Sequence, residues 1–529
     1  MTPVKPERFM VTVSTFSPKE TAQNNAAEDG ISQRGSEQLE TPLRELEVRY
    51  LRVEQRVNGI ASATLTLSMH DNPLKNLSTS TDVASCQPGK KMIIRVTDSV
   101  LFTGVITDNH LTLSPDKQEL TLTLKHDLIR LENVIRSRIF TEDTDEDIIR
   151  GICPAGSVRF DDAARNCTNV RHEQRIQFRC SDWQMLRYSL DSCGVWLIAE
   201  PTGTRIIVPS LEAVPTHSLV AERDLSSENS PLIESAEWHF SGMDKPSSLT
   251  MAGWDLGTQR LIAMRARQPK LGSGALDPAA GLRLNDIPWA LGYGTYPSAK
   301  ALGIQADSLL QSLLIKRVRG AFTVEGAAGY QPGQTLAVSG YGKDFDGSGI
   351  ITAVVHTITP SRWMTTVTLG DSGLAPARLS MPDTNTLLPG VVSDYSRPDP
   401  RDFSRIRVHL NTLDKDKSKN QVWARFAMPY ASNKHSFLCY PEPGDEVVVS
   451  FFDGNPDYPV IIGAMHNPQR PPASKPGRDN TLKGWDIGTL KLQLDTGKKK
   501  AIAGVNAASI ITVEGNKVTV KGPKINLTK

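Results

Sequence analysis

Apolar and polar residues alternate along much of the first part of the chain. Successive side chains of a strand point to opposite faces of a sheet, so a period of two predicts strands with one buried face. That period runs through residues 46–56, 61–69, 92–97, 101–108 and 117–126. Residues 17–42 have no period and many Asn, Gln, Glu and Ser residues, which predicts a mobile loop or insertion.

Three helices are expected within this β pattern. Thr144 precedes an acidic run and then IIRGI, which is a capping box with Thr144 as N-cap and Asp147 at the third helical position. Residues 181–193 (SDWQMLRYSLDSC) predict a second helix, which is capped by Ser181 or Asp182 and ends at Gly194. Residues 300–315 (KALGIQADSLLQSLLI) predict the third helix.

The second half of the chain again favours strands. A long β region covers residues 321–369, and residues 371–389 are rich in turn formers, which indicates a domain boundary. Residues 390–468 predict a compact β unit with the strands RIRVHL, QVWARFAM, DEVVVSFF and YPVIIGAM. Four prolines between residues 468 and 477 then interrupt the chain.

The tail after these prolines consists of short segments with apolar residues on one face only: TLKLQLD, SIITVE, KVTVK and KINLT. Such strands bury too little apolar surface to offset their chain entropy alone. Two interpretations stay open. One is a hairpin whose turn is residues 514–517. The other is a triangular β-helix in which three chains wrap together around a shared axis. The candidate needle core consists of Leu490, Leu492, Leu494, Ile511, Val513, Val518, Val520, Ile525 and Leu527.

Composition adds few constraints. The net charge of +2 gives no electrostatic signature for nucleic acid or a membrane, and no stretch of about 18 apolar residues is present. From Ser474 onward the chain has eleven Lys or Arg and four Asp or Glu. We interpret these charges as a solvated outer face, because no aromatic stacking platform accompanies them. The N-terminus has no secretory signal pattern, and the six cysteines are expected to be reduced, packed thiols.

Several motifs occur in an order that resembles a known family. They are HDLIRLENVIRSRIFTEDTDEDIIRGI, the helix region with Ser181, Asp182, Trp183, Leu186, Gly194 and Trp196, the stretches 253–263 and 331–340, and the run from RIRVHL through DGNPDYPVIIGAMHNPQRPP. The chain resembles the spike proteins of contractile injection machines, namely the VgrG family of type VI secretion and the hub and spike proteins of contractile phage tails.

This resemblance implies a mainly β (α+β) fold in three parts. Residues 1–385 would form a hub of two tube-like β-barrels with helical insertions. Residues 386–470 would form an OB-fold collar, in which Asp453–Asp457 turns the chain into the closing strand Tyr458–Met465. Residues 471–529 would form a linker and a β-helical needle made by an intertwined homotrimer.

The implied function is that of a structural central spike and baseplate hub, which plugs the inner tube and pierces the target envelope during effector delivery. The expected partners are two further copies of the chain, a hexameric inner tube protein, a PAAR-type tip protein, other baseplate proteins and transiently the target membrane, with effector cargo as a further candidate. We expect assembly in the bacterial cytoplasm and release in an extracellular phage-tail-like particle. The alternatives are a type VI secretion VgrG or a phage tail spike.

Two other classes of function are weighed against the spike. No HExxH, G-x-S-x-G or P-loop motif occurs, and residues 272–281 are glycine-rich but lack the P-loop lysine, so we expect no enzyme and no cofactor. His466 is the last histidine and precedes the tail, so no metal apex is expected. An OB-fold that binds carbohydrate or nucleic acid would need an aromatic, basic face. Its candidate aromatic residues are Trp423, Phe426, Phe451 and Phe452, of which we expect at least two to point inward.

Overall fold

Strands are the main element throughout the computed structural model. It describes residues 10–18, 38–69, 77–114, 117–154, 156–221, 231, 233–241, 246–270, 287–370, 386–413, 419–506 and 508–526. The prediction of a mainly β fold with helical insertions is confirmed. Among the described residues, no helix has both the length and the apolar character needed to cross a membrane.

Below, the words hub, collar and tail only label residues 1–385, 386–470 and 471–529 of the predicted division. The described residues of the hub up to Ile207, its first part, contain twelve strands and four α-helices in chain order. They are β1 (Val11–Pro18), β2 (Gln38–Pro42), β3 (Leu46–Arg56), β4 (Ser62–Met69), α1 (Thr81–Ser85), β5 (Lys91–Val96), β6 (Ser99–Leu113), β7 (Gln118–Lys125), β8 (Ile135–Thr144), α2 (Asp145–Ile152), β9 (Val158–Phe160), α3 (Asp162–Thr168), β10 (Arg171–Ser181), α4 (Asp182–Cys193), β11 (Trp196–Glu200) and β12 (Gly203–Ile207).

The second part of the hub follows directly. It comprises β13 (His217–Val220), β14 (Ile233–Phe240), β15 (Leu249–Asp255), β16 (Arg260–Arg265), β17 (Trp289–Gly292), α5 (Ala299–Arg317), β18 (Val318–Glu325), β19 (Thr335–Ser339), β20 (Gly347–Thr359) and β21 (Arg362–Leu369).

A 13-stranded sheet joins the two parts of the hub. Its path is β14-β18-β21-β20-β3-β4-β7-β6-β5-β1-β2, with β19 pairing β20 and β13 pairing β19 off this path. The two parts meet where β20 pairs antiparallel with β3, as in the pair His356 and Val53. One hydrophobic core lies under β3 to β7 together with α2 and α4, and a second lies among β18 to β21. Two tube-like barrels within residues 1–385 stay a prediction.

The three predicted helices are confirmed as α2, α4 and α5. The Thr144 hydroxyl accepts a hydrogen bond from the Asp147 amide (3.2 Å) and the Thr144 amide donates to the Asp147 carboxylate (3.0 Å), so the acidic run caps α2. Ser181 caps α4, and Gly194 ends it with a φ of 65°, where a side chain would be strained.

A closed barrel follows the hub. Its strands, with a small hairpin between β24 and β27, are β22 (Leu388–Val392), β23 (Ile406–His409), β24 (Gln421–Phe426), β25 (Ala431–Ser432), β26 (His435–Ser436), β27 (Glu446–Phe451) and β28 (Pro459–Met465). The barrel order is β22-β23-β24-β28-β27, which has the five strands of the predicted OB fold. The four strands expected from the sequence are confirmed, whereas β22 was not expected.

The tail is a five-stranded antiparallel sheet with neighbours in chain order. Its strands are β29 (Leu482–Ile487), β30 (Leu490–Asp495), β31 (Lys500–Asn506), β32 (Ser509–Glu514) and β33 (Lys517–Lys521). The predicted turn at residues 514–517 is confirmed, because Glu514 pairs with Lys517 and Gly515 has a φ of 55°.

Three expectations from the sequence need correction. KINLT forms no strand over its described residues up to 526, while β29 and β31 were missed. Part of the expected loop at residues 17–42 is strand, because β2 pairs with β1, whereas residues 19–37 lie outside the described residues. Cys439 is exposed and Cys167 is half-buried, so the expectation of packed thiols holds for Cys86, Cys153, Cys180 and Cys193 only.

Candidate assembly face and its connection to the collar

The register of the tail sheet gathers its large apolar side chains on one face. Residues paired across an antiparallel sheet lie on the same face, and alternate residues of a strand do so too. Leu492 pairs with Trp485 on one side and with Ala503 on the other. Ala503 pairs with Ile511, which pairs with Val520. A continuous apolar row therefore crosses all five strands.

We call this surface the needle face. Its large side chains are Trp485, Ile487, Leu490, Leu492, Leu494, Ile511, Val513, Val518 and Val520. Their exposed fractions run from 40% at Val513 to 64% at Val518. No described residue after Ile461 is buried, so the tail of a single chain has no core of its own. A contiguous apolar surface of this kind marks an interaction site on a soluble protein.

The structure brings together seven of the nine predicted needle-core residues. Leu490, Leu492, Leu494, Ile511, Val513, Val518 and Val520 all lie on the needle face. Ile525 lies beyond the last strand and is 54% exposed, and Leu527 lies outside the described residues. The assignment of these residues to a trimer core stays a prediction.

Sequence reasoning missed Trp485 and Ile487 on the same face. They are two positions apart in LKGWDI, so their alternation was a usable signal.

The opposite face of the tail sheet is mainly polar, with Leu482, Ile502 and Ile510 as its large apolar residues. Lys491 pairs with Asp486 across β29 and β30, and their charged atoms lie 3.4 Å apart. Lys500 and Glu514 form a second ion pair of 3.2 Å between β31 and β32. Lys483 pairs with Leu494 and so lies on the needle face. The interpretation of the tail charges as a solvated outer face stays a prediction.

Strand β10 connects the hub to the barrel above this tail. Its residues Ile176 and Phe178 belong to the hydrophobic core of the barrel, together with Val408, Val449 and other barrel residues. The backbone of β10 also bonds to the barrel region, because the Ile176 amide donates a 2.7 Å hydrogen bond to the Asp457 carboxylate. The strand β10 pairs with β8 and is not part of the barrel, but its side chains complete the hydrophobic core of the collar.

A buried charge network surrounds this connection. The Arg175 guanidinium lies 2.9 Å from the Asp457 carboxylate and 3.2 Å from that of Asp145, and all three side chains are buried. His172 adds a 2.7 Å contact to Asp145. Burial acts to raise the pKa of Asp145, but Arg175 and His172 outweigh it and hold that pKa below its usual value. Burial raises the pKa of Asp457, although Arg175 acts in the opposite direction.

A second ion cluster lies nearby. Arg405 contacts Glu173 of β10 and Asp399, each at 2.6 Å. Burial acts to raise the pKa of Asp399, but hydrogen bonds from Arg405 and from backbone amides lower it to about 2. A cavity of about 150 Å³ lies between these clusters and is lined in part by Arg175, Arg405 and Tyr296. The turn at residues 453–457 thus does more than the predicted reversal of the chain, because it carries the buried Asp457.

Two family models match the chain. Residues 36–360 match the Alg8 N-terminal domain, and residues 388–466 match the Type VI secretion system/phage-baseplate injector OB domain. The first match covers more than half of the chain. The chain belongs to the Alg8 N-terminal domain family. The match to the injector OB domain coincides with the closed barrel from β22 to β28.

Two curated relatives of this Alg8 N-terminal domain protein are spike proteins of type VI secretion systems. The type VI secretion system spike protein VgrG3 of Vibrio cholerae is 33% identical over 67 residues, which are 12% of this chain and 7% of that protein. The spike protein VgrG1a of Pseudomonas aeruginosa is 30% identical over 70 residues, which are 13% of this chain and 11% of that protein. The alignments thus span about a tenth of the length of these relatives.

Solved structures show the same fold over most of the chain. The E. coli c3393 protein, a type VI secretion component with structural similarity to T4 bacteriophage tail proteins gp27 and gp5, matches with a TM-score of 0.52 at 16% identity. It covers 79% of this chain and 97% of its own. The half-lidded Francisella PdpA-VgrG complex matches with a TM-score of 0.58 at 10% identity, over 97% of this chain and 88% of its own. The predicted resemblance to VgrG-like spikes is confirmed.

The aromatic residues that a ligand-binding collar would need are partly used for packing. Phe451 is buried in the barrel core and Phe426 packs against it, as the alternation predicted. The guanidinium groups of Arg405 and Arg407 lie 5.8 and 5.9 Å from the centre of the Trp423 ring. Phe452 lies 5.6 Å from the guanidinium of Arg425.

Proposed function

We propose that the chain is the central spike and baseplate hub of a contractile injection system and works as a homotrimer. The observation that carries this proposal is the needle face, because its large side chains are 40 to 64% exposed in a single chain. Three copies that turn this face to a common axis remove it from water. The charged opposite face then becomes the outer surface of the needle.

The dimensions of the tail sheet suit a triangular shaft. A strand of six residues such as β30 spans about 20 Å at about 3.3 Å per residue. Three sheets of that width, set as the sides of a triangle, each lie about 6 Å from the axis, given this strand length. One layer of Leu, Ile and Val side chains fills that distance. The pairing of successive strands within each chain stacks them along the axis.

The role of such a spike is mechanical in this proposal, with no catalytic step. Contraction of a sheath supplies the energy, and the needle supplies stiffness because its strands pair along the whole shaft. The hub plugs the inner tube, a tip protein caps the needle, and other baseplate proteins surround the hub. The target membrane is contacted during piercing, and effector cargo travels with the spike.

The finer assignment within this proposal is an extracellular phage-tail-like particle assembled in the bacterial cytoplasm. It rests on the polar segment around residues 17–42, part of which lies outside the described residues. Sedimentation of cell-free culture medium and electron microscopy test it. Contractile particles that contain the chain support it, whereas its recovery only with cell envelopes favours a type VI secretion spike.

The native mass of the chain tests the proposal directly. Light scattering is measured on the full-length chain and on a version that ends at Gly477, which lacks the whole tail sheet. We expect a trimer that weakens or disappears without the tail. A trimer that survives truncation moves the assembly energy to the hub and collar. A monomer in both cases refutes the spike and returns the OB-fold ligand hypothesis to first place.

A further inference from the structure

The long connection between β24 and β27 carries an apolar patch that the barrel does not use. Every residue from Ala431 to Tyr440 is exposed. The exposed fraction is 72% at Leu438, 37% at Phe437 and 45% at Tyr440. We call residues 427–440 the collar loop.

The collar loop has fewer charged residues than a solvated surface loop usually has. Lys434 has the only full charge between residues 427 and 440, which read AMPYASNKHSFLCY. Lys434 also has a φ of 59° at the tip of the β25–β26 hairpin, and the Phe437 amide donates a 3.0 Å hydrogen bond to the Tyr430 carbonyl. This ordered hairpin therefore presents its aromatic residues in a fixed place. Exposed apolar groups held in this way indicate an interface.

The collar loop is continuous with the needle face. The rings of Phe437 and Trp485 lie 5.5 Å apart, and Trp485 belongs to the first strand of the needle face. The loop therefore reaches the side of the tail sheet on which the proposed three-fold axis lies. Its second anchor is Tyr440, whose ring lies 6.1 Å from that of Phe426 in the barrel.

We propose that the collar loops of three copies meet at the top of the needle and close its apolar interior. The occupant of each patch is a second copy of this chain, because the patch continues the face that the proposed homotrimer buries. This inference rests on the proposed function. Leu438 and Phe437 of one copy pack against the same loop of its neighbours and keep water out of the upper end of the shaft.

Cys439 gives a direct probe of this arrangement. It lies next to Leu438, and its thiol is exposed, unlike those of Cys86, Cys153, Cys180 and Cys193. Full-length protein is treated with a mild oxidant or a short bismaleimide and run on a denaturing gel without reductant. We expect covalent dimers from native trimers, and none from the Cys439→Ser variant.

A matched pair of substitutions tests the packing. Leu438→Asp places a charge in the closed end of the shaft, and Ser432→Asp places the same charge elsewhere on the collar loop. We expect Leu438→Asp to raise the concentration at which the trimer dissociates by tenfold or more. Ser432→Asp is expected to change it less than threefold.

The outcomes separate this inference from the proposed function. A Cys439 crosslink with a weakened Leu438→Asp trimer supports the closure. An intact trimer in which Cys439 is not crosslinked and the two substitutions behave alike overturns the closure and leaves the proposed function standing. A monomeric full-length chain overturns both.

Discussion

Val513→Asp places a carboxyl group on the needle face, on the fourth strand of the tail sheet. Val513 pairs with Ala501 and Val518, and 40% of it is exposed in the single chain. If three copies cover this face, the substitution places three carboxyl groups close to one axis. We expect the trimer to dissociate at neutral pH.

The size of the effect has two contributions, namely the lost burial of the valine side chain and the free-energy cost of protonating the aspartate. Covering the exposed 40% of Val513 contributes roughly 1 kcal/mol per chain, which the substitution removes. Keeping an aspartate neutral at pH 7, against a reference pKa near 3.9, costs about 4 kcal/mol per chain. The sum is about 15 kcal/mol per trimer, and each 1.4 kcal/mol changes an equilibrium constant about tenfold. Such a loss separates the chains at micromolar concentration.

Thr512→Asp is the matched control. Thr512 is the adjacent residue on the same strand and pairs with Ile502 and Thr519, so it lies on the opposite, polar face. Light scattering at pH 7 and pH 4 compares both variants with the native chain. We expect only Val513→Asp to lose the trimer at pH 7, and we expect its trimer to return at pH 4, where protonation costs little. An intact Val513→Asp trimer at pH 7, or equal dissociation of both variants, would refute the reasoning.

Three further predictions concern the hub and its connection to the collar. Arg175→Met leaves two buried carboxyl groups without the Arg175 cation, so chemical denaturation should show a loss of about 3–5 kcal/mol in the free energy of unfolding. The control Arg165→Met, at an exposed residue, should lose less than about 0.5 kcal/mol. Equal losses would contradict a stabilising role of the buried charge network. Burial lowers the pKa of His356 from 6.5 to about 4, so the native state resists protonation and stability present above pH 6.5 is lost as the pH falls to about 4, by about 3 kcal/mol. In thermal unfolding measured as a function of pH, the His356→Leu variant should lose this dependence of stability on pH. An unchanged dependence would assign it to other groups. Gly194→Ala should lower the unfolding temperature more than Gly89→Ala. Both glycines have a positive φ, but only at Gly194 would a Cβ collide with Ser308 of α5. Equal shifts in unfolding temperature would mean that backbone strain alone accounts for the effect.

The strands that sequence reasoning found share a clear period of two. β3, β4 and β7 bury alternate residues, so their pattern is visible in any window along the chain. The strand β22 was missed because its sequence LPGVV contains Pro389 and Gly390, which usually break strands. Gly390 is needed there, since a Cβ would lie 2.5 Å from the Val408 side chain of the neighbouring strand β23.

The candidate face could be predicted in part because it is a property of single strands. Alternation alone places Leu490, Leu492 and Leu494 on one face of β30. The number of copies that cover this face has no such local signal. The charge network at the collar has none either, because Arg175 and Asp457 lie far apart in the sequence and come together only when β10 packs against the barrel.

In the proposed spike, force passes from the hub through the collar to the needle, and the two connections differ in kind. The hub and the collar share a hydrophobic core, to which β10 contributes Ile176 and Phe178, and buried ion pairs, so bending between them would expose charged groups and apolar side chains that are now buried. The collar and the tail of one chain are joined by residues 466–481, none of which is buried, and by the contact between Phe437 and Trp485. A single chain therefore has a firm upper connection and a weak lower one. Stiffness at the lower connection has to come from other copies, which is why the needle face and the collar loop are expected to act together.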